Sequence, residues 1–281
     1  MAGRMSVLLA LGLLVIVLPA GRSEQQGSGK QGGRPKLTQI SVIGERHSGT
    51  NYMRSLMAEN FKNSVKVDEY YCQFKHYYQS WNKKTCPPLN RTLVIVMLRN
   101  PLDWAIGMHK KCWCGEGDDN LSDLKFKDFM TSSMKEFNNR PWTNQNPGRC
   151  KHVMECRTQK YLNFLNMTRW VPHGLIKFVR HEDVMDPYRA KAFVSKLAKQ
   201  YNLETNEDEA EHVQKYKGYE DHNFNPWKVK SESLWFSYAK QRVDPEVAAK
   251  IDLILKQANT AVESMAGYNI AALRQQDLHT H

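Results

Sequence analysis

Leu37-Thr-Gln-Ile-Ser-Val-Ile-Gly44-Glu-Arg-His-Ser-Gly49-Thr-Asn-Tyr52 decides the fold of this 281-residue chain. The β-branched run Leu37–Ile43 stops at Gly44, the pattern of a strand leaving into a turn. From Thr50 to Asn60 the residues Tyr52, Met53, Leu56 and Met57 recur on one helical face. Strand, glycine turn and helix in that order set backbone N–H groups and a helix N-terminus around one point, the setting that holds a phosphate. Gly44-x4-Gly49 has the spacing of the nucleoside-triphosphate loop G-x4-G-K-[ST], but Thr50 stands in the lysine position and Asn51 in that of the metal-binding hydroxyl. A Mg²⁺-assisted clamp on β- and γ-phosphates is therefore poorly supported. What remains is a cradle for one phosphate-like group. Gly49 permits close approach, Ser48 and Thr50 offer hydroxyls, and Arg46 and His47 offer cations. On these residues alone an ordinary glycine turn explains the loop equally well.

The rest of the chain alternates strands and helices. Leu93–Leu98 is a continuous apolar run of strand length, as in a parallel sheet covered on both faces. Gly174–Arg180 is a further strand. Asp186-Pro187 and Asp244-Pro245 open two helices with a capping Asp and a Pro in the first turn. The second helix carries Val247, Ile251, Ile254, Leu255, Ala258 and Val262. Gly115–Arg149 is polar and reads as an insertion or lid. The fold class implied is α/β, an open, mainly parallel sheet flanked by helices in one domain.

At the end of the apolar strand stands Leu98-Arg-Asn-Pro-Leu-Asp-Trp-Ala-Ile-Gly-Met-His109. An Arg at the carboxyl end of a parallel strand points to the crevice where such sheets bind ligands. Together, Ser48-Gly49-Thr50 and Arg99-Asn-Pro-x-Asp103 resemble the 5′-phosphosulfate loop and 3′-phosphate motif of sulfotransferases, which use 3′-phosphoadenosine 5′-phosphosulfate (PAPS). Phe178-Val-Arg-His-Glu-Asp-Val184 resembles the family's strand-to-helix Y-E-D segment, and Val262–Tyr268 its final helix. The resemblance spans roughly residues 37–270 and implies a P-loop-like sulfotransferase fold. It places the 5′-phosphosulfate on Arg46, His47, Ser48, Gly49, Thr50 and Asn51, and the 3′-phosphate on Arg99. The chain departs from the pattern twice: His47 stands where the family has Lys or Arg, and Gly107 where it often has a 3′-phosphate-binding Ser.

Lys75-His76 matches a Lys and a base His that many sulfotransferases carry at the end of the intervening strand. Transfer to a hydroxyl needs a base of near-neutral pKa and a cation on the leaving phosphate. His76 and Lys75 are thus the expected catalytic pair, with Glu45 as the reserve base, and a structural His76 as the plain alternative. His109, His152, His173 and His181 are scattered and carry no expected role. Tyr70, Tyr71, Phe74, Tyr77, Tyr78 and Trp81 either line an acceptor site or form core. No metal is implied.

Composition bounds the partners. Forty Lys and Arg against 29 Asp and Glu give a formal charge of +11, which favours an anionic partner. Arg4 followed by the apolar run Val7–Leu18 reads as an export signal, cleaved or retained as a single anchor. Its twelve residues would rise about 18 Å as a helix, short of a ~30 Å hydrocarbon core. The expected layout is residues 1–20 as signal or anchor, 21–36 as a Gly/Ser/Gln-rich stem, and 37–275 as the α/β domain. Six cysteines and the sequons at Asn90, Asn120 and Asn166 agree with export. Cys112 and Cys114 stand too close in sequence to bridge comfortably, so each is expected to pair with a distant cysteine. Secretion or residence in the Golgi lumen follows, with an acidic glycan or another hydroxyl-bearing acidic acceptor, and no nucleic acid. Two rivals stay open: a non-catalytic polyanion- or nucleotide-binding protein on a degenerate sulfotransferase scaffold, and a nucleotide-dependent kinase.

Overall fold

The computed structural model describes residues 36–61, 64–112, 114, 119–135, 149–205 and 244–271. The signal or anchor segment and all of the stem before Lys36 lie outside the described residues, as do 115–118 and 136–148 of the polar insertion.

The chain runs β1 (Gln39–Gly44), α1 (Thr50–Phe61), β2 (Lys66–Asp68), β3 (Thr92–Leu98) and α2 (Pro101–Lys110), then α3 (Phe126–Thr131), β4 (Met134–Lys135) and β5 (Arg149–Cys150). It continues through α4 (Val153–Asn166), β6 (Ile176–Arg180), α5 (His181–Val184), α6 (Pro187–Tyr201), α7 (Pro245–Gln257) and α8 (Thr260–Met265). Four strands form one parallel sheet in the order β2-β1-β3-β6. The expected α/β class, a parallel sheet with flanking helices, is therefore observed.

Strand alternation makes two cores. Val94, Val96 and Leu98 of β3 pack on one face with Trp104 of α2, Tyr161 of α4 and Ile254 of α7. Leu93, Ile95 and Met97 pack on the other with Met53 of α1 and Val194 of α6. All seven residues of β3 are buried, which is why Leu93–Leu98 is an unbroken apolar run rather than an alternating one.

Helix starts follow side-chain chemistry. Asp186 accepts from the backbone N–H groups of Tyr188 and Arg189, and Asp244 from those of Glu246 and Val247. The helix expected to run from Pro245 through Val262 is instead two helices. It stops at Gln257, and Asn259 caps α8 by accepting from Val262 N. The insertion is not simply a polar flap either: Phe126, Phe129, Met130 and Met134 are buried in the first core.

Cysteine pairing also differs from expectation. Cys72 pairs with Cys86, Cys150 with Cys156, and Cys112 with Cys114 rather than with a distant residue. Met134 lies among the last four, its sulfur 3.3 Å from Cys114 Sγ and 3.8 Å from Cys112 Sγ. Three bridged pairs fit an oxidising, secretory-type environment. Among the described residues no helix is long and apolar enough to cross a membrane.

Candidate functional site

From β1 the chain passes through α1 to β2 on one side, whereas β3 lies on β1's other side. The carboxyl ends of β1 and β3 therefore flank a topological switch point, the place where open parallel sheets bind ligands. Gly44 pairs with Met97 and Leu98 with Arg180, so the loop after β1, Arg99 and His181 share one edge of the sheet.

The loop is built around Glu45, which is fully buried. Its Oε1 accepts from Arg46 N at 2.8 Å and from Arg46 Nε at 3.2 Å, and its carbonyl accepts from Ser48 Oγ at 2.5 Å. Trp104 Nε1 donates to Arg46 O at 2.9 Å. Arg46 and Ser48, expected to face an anion, here make contacts within the loop, and Glu45, the reserve base, is engaged with Arg46.

His47 adopts φ +58° and donates from Nε2 to Lys111 O at 2.7 Å. Burial drives its pKa down to about 4, and the charges of Arg99, Arg46 and Lys111 add to the effect. At neutral pH it is therefore uncharged. Gly49 adopts φ +87°, and a Cβ there would stand 2.2 Å from His181 Cδ2. Only glycine meets both conditions. Thr50 is buried at the start of α1, whose first N–H groups have no intrahelical partner.

Arg99 is held by its backbone. Arg157 Nη2 donates to its carbonyl at 2.6 Å, and the Tyr161 hydroxyl lies 3.1 Å from its N and 3.2 Å from its O. Its Nη1 donates to His47 O at 2.8 Å. Among the described residues the buried Nε of Arg99 has no hydrogen-bond partner. A buried cationic N–H left unpaired beside a glycine loop fits a bound anion. Asn100 extends the bracing: its N and Nδ2 donate to Glu182 Oε1 at 2.8 and 2.6 Å, and Tyr268 OH donates to Glu182 Oε2 at 2.9 Å.

Lys75 and His76 reach the same edge, but not from a strand end as expected. Strand β2 ends at Asp68, and the pair lies in the loop closed by Cys72–Cys86. Gly44 N donates to Lys75 O at 3.0 Å, and His76 Nδ1 lies 2.8 Å from Gly44 O. A carbonyl only accepts, so Nδ1 carries the proton and the lone pair of the neutral ring is on Nε2. Burial, aided by Lys75, Arg46 and Lys160, lowers the His76 pKa to about 3. The Lys75 ammonium donates to Asn51 Oδ1 and to Glu69 Oε2, both at 2.7 Å. The aromatic group divides: Tyr71 and Tyr78 are core, Tyr70 and Trp81 are 43% and 51% exposed, and Phe74 contacts His76 edge-on at 5.5 Å.

Sequence reasoning passed over three residues here. His181, set aside as scattered, packs on Gly49 beside Arg99, and burial lowers its pKa well below the usual value. Arg157 and Lys160 of α4 are fully buried. Their signal was available: both lie on the apolar stripe of Val153, Cys156, Tyr161 and Phe164, where a cation needs a partner. Among the described residues no group of three or more His, Cys, Asp or Glu side chains could hold a metal ion. No family model matches the chain, and no curated protein matches it.

Proposed function

We propose that this protein is a PAPS-dependent sulfotransferase that moves a sulfuryl group to an acceptor hydroxyl in the secretory pathway. The observation that carries the reading is the unpaired, buried Nε of Arg99 beside the Gly44–Thr50 loop at the switch point of the sheet. The motif resemblance of Ser48-Gly49-Thr50 and Arg99-Asn-Pro-x-Asp103 supports it from the sequence side.

In this reading Arg99 holds the 3′-phosphate, and Gly49 opens the loop to the 5′-phosphosulfate. The amide groups of Gly49 to Asn51 at the N-terminus of α1 serve the anion, Ser48 N being engaged with Glu45 O and Arg46 with Glu45. The donor supplies an electrophilic sulfur whose bond to the 5′-phosphate oxygen breaks as the acceptor oxygen attacks. His76, neutral at pH 7 with Nε2 as its lone pair, takes the acceptor's proton. With a pKa lowered to about 3 it is a weaker base than the near-neutral one expected from the sequence. Lys75, held by Asn51 and Glu69, stands as the cation for the leaving phosphate. Disulfide pairing and net charge suit an oxidising lumen and an acidic acceptor, with a glycan as the first class to try.

Incubating the lumenal portion with labelled PAPS and a panel of glycans, tyrosyl peptides and lipids tests the proposal. Label should transfer to one class, and His76→Ala should abolish transfer. A second reading, polyanion binding without catalysis, draws on the inward-turned Arg46 and the uncharged His47. It requires that His76→Ala leave ligand binding and every cellular effect intact.

A further inference from the structure

Lys160 belongs to no motif, yet it touches both halves of the site. From α4 its ammonium, fully buried, donates to His76 O at 2.6 Å and lies 3.9 Å from Glu45 Oε2. It sits over the Tyr78 ring at 4.4 Å. Glu45 is the post around which the glycine loop folds, and His76 belongs to the neighbouring Cys72–Cys86 loop.

We propose that Lys160 is a positioning residue, a single buried ammonium that locks the backbone of His76 to the carboxylate of Glu45 and so keeps base and anion loop in one arrangement. Two direct contacts already join these segments, Gly44 N to Lys75 O and His76 Nδ1 to Gly44 O. Both run through Gly44. Lys160 adds a third tie: it hydrogen-bonds His76 O and lies within charge contact, 3.9 Å, of Glu45 Oε2, the oxygen of the post that makes no hydrogen bond among the described residues. Burying an ammonium is costly unless it is paired, so a Lys retained on an apolar helix face there is explained by what it holds.

Its charge has a second effect. The groups facing the His76 ring are Lys75 on its own loop, Arg46 on the glycine loop and Lys160 on α4, with Glu45 beneath Arg46 and Glu69 on Lys75. The three cations disfavour imidazolium, so Lys160 also helps keep the base free of its proton.

This inference rests on His76 being the base, but its test does not need turnover. In full-length protein, the His76 ring is followed by NMR through an acid titration in wild type, Lys160→Met and Lys160→Arg. Burial, Lys75 and Arg46 keep the midpoint low in every variant, and Lys160→Met should raise it only slightly while shifting the His76 ring resonances, with Lys160→Arg close to wild type. Ring resonances and midpoint both unchanged in folded Lys160→Met overturn the proposal. If that variant does not fold, the wild type still decides. A coupling through the hydrogen bond from Lys160 Nζ to the His76 carbonyl carbon is expected, and its absence refutes the link. In turnover, Lys160→Met should lower kcat roughly tenfold or more with donor KM within about threefold, since binding energy is kept while the base is displaced. Shifted ring resonances without any sulfuryl transfer would sink the sulfotransferase reading and leave Lys160's role standing.

Discussion

The ring of His47 rests on Gly107: a Cβ at position 107 would stand 3.2 Å from His47 Cγ and 3.3 Å from His47 Cβ. These are the two positions at which the sequence differs from the motif pattern it resembles, and in the structure they touch. An imidazole tied to Lys111 O takes the space that a side chain at 107 would need.

Gly107→Ser should therefore weaken binding of adenosine 3′,5′-bisphosphate roughly tenfold, by pushing the ring whose backbone carbonyl accepts from Arg99 Nη1. His47→Ala in the same chain should restore most of that loss. Calorimetry on the two single variants and the double variant measures the coupling, and simple additivity would show the contact to be idle.

Gly49→Ala faces two penalties at once, a left-handed backbone and a Cβ placed 2.2 Å from His181 Cδ2. A loss of about 1–3 kcal/mol is expected, seen as a Tm lower by several degrees. Adding His181→Ala should recover only the steric part. Complete recovery would mean that the backbone conformation costs nothing.

Arg157 is buried between Trp104 and Tyr161 at 5.0 and 4.1 Å and pairs with Glu263 through Nε–Oε1 at 2.6 Å and Nη2–Oε2 at 2.9 Å. Glu263→Gln leaves that guanidinium uncompensated and should cost about 3–5 kcal/mol in urea unfolding. Arg157→Met with Glu263→Met should cost less than Glu263→Gln alone. Because Arg157 also holds Arg99 O, the double variant should still lose nucleotide affinity.

Acid stability follows from the depressed histidines. His76 at about 3 and His47 at about 4 bind protons less readily folded than unfolded. Above pH ~6.5 both states are neutral at these rings and stability is full. As pH falls from ~6.5 toward 3 the unfolded chain takes up protons first, and each ring removes up to ~1.4 kcal/mol per pH unit. His76→Gln should flatten that slope in denaturation curves between pH 6.5 and 4. An unchanged slope would place the titration elsewhere.

Much of the frame was legible in the sequence because one cause dominates at each point. Leu93–Leu98 is apolar because both of its faces are covered, and Asp-Pro marks two helix starts by local chemistry. Gly44 to Thr50 was legible as a strand-to-helix turn for the same reason. The inward turn of Arg46 was not, because nothing local says whether a guanidinium beside Glu45 faces its neighbour or a ligand. Helix α4 escaped notice because Arg157 and Lys160 interrupt its apolar stripe, and only tertiary partners, Glu263, His76 and Glu45, make those cations burial-competent. His181 depended on β6 pairing in register with β3, a relation between residues 82 positions apart, as in Leu98 with Arg180. The contact of Cys112 with Cys114 defeated a rule about sequence distance.

The most direct test is calorimetric titration of adenosine 3′,5′-bisphosphate in EDTA, beside ATP with Mg²⁺. The account predicts that the bisphosphate binds without metal and that Arg99→Gln weakens it roughly a hundredfold, the ~2.7 kcal/mol of a charge-assisted contact. No binding of the bisphosphate, preference for ATP with Mg²⁺, or an affinity indifferent to Arg99→Gln would contradict it.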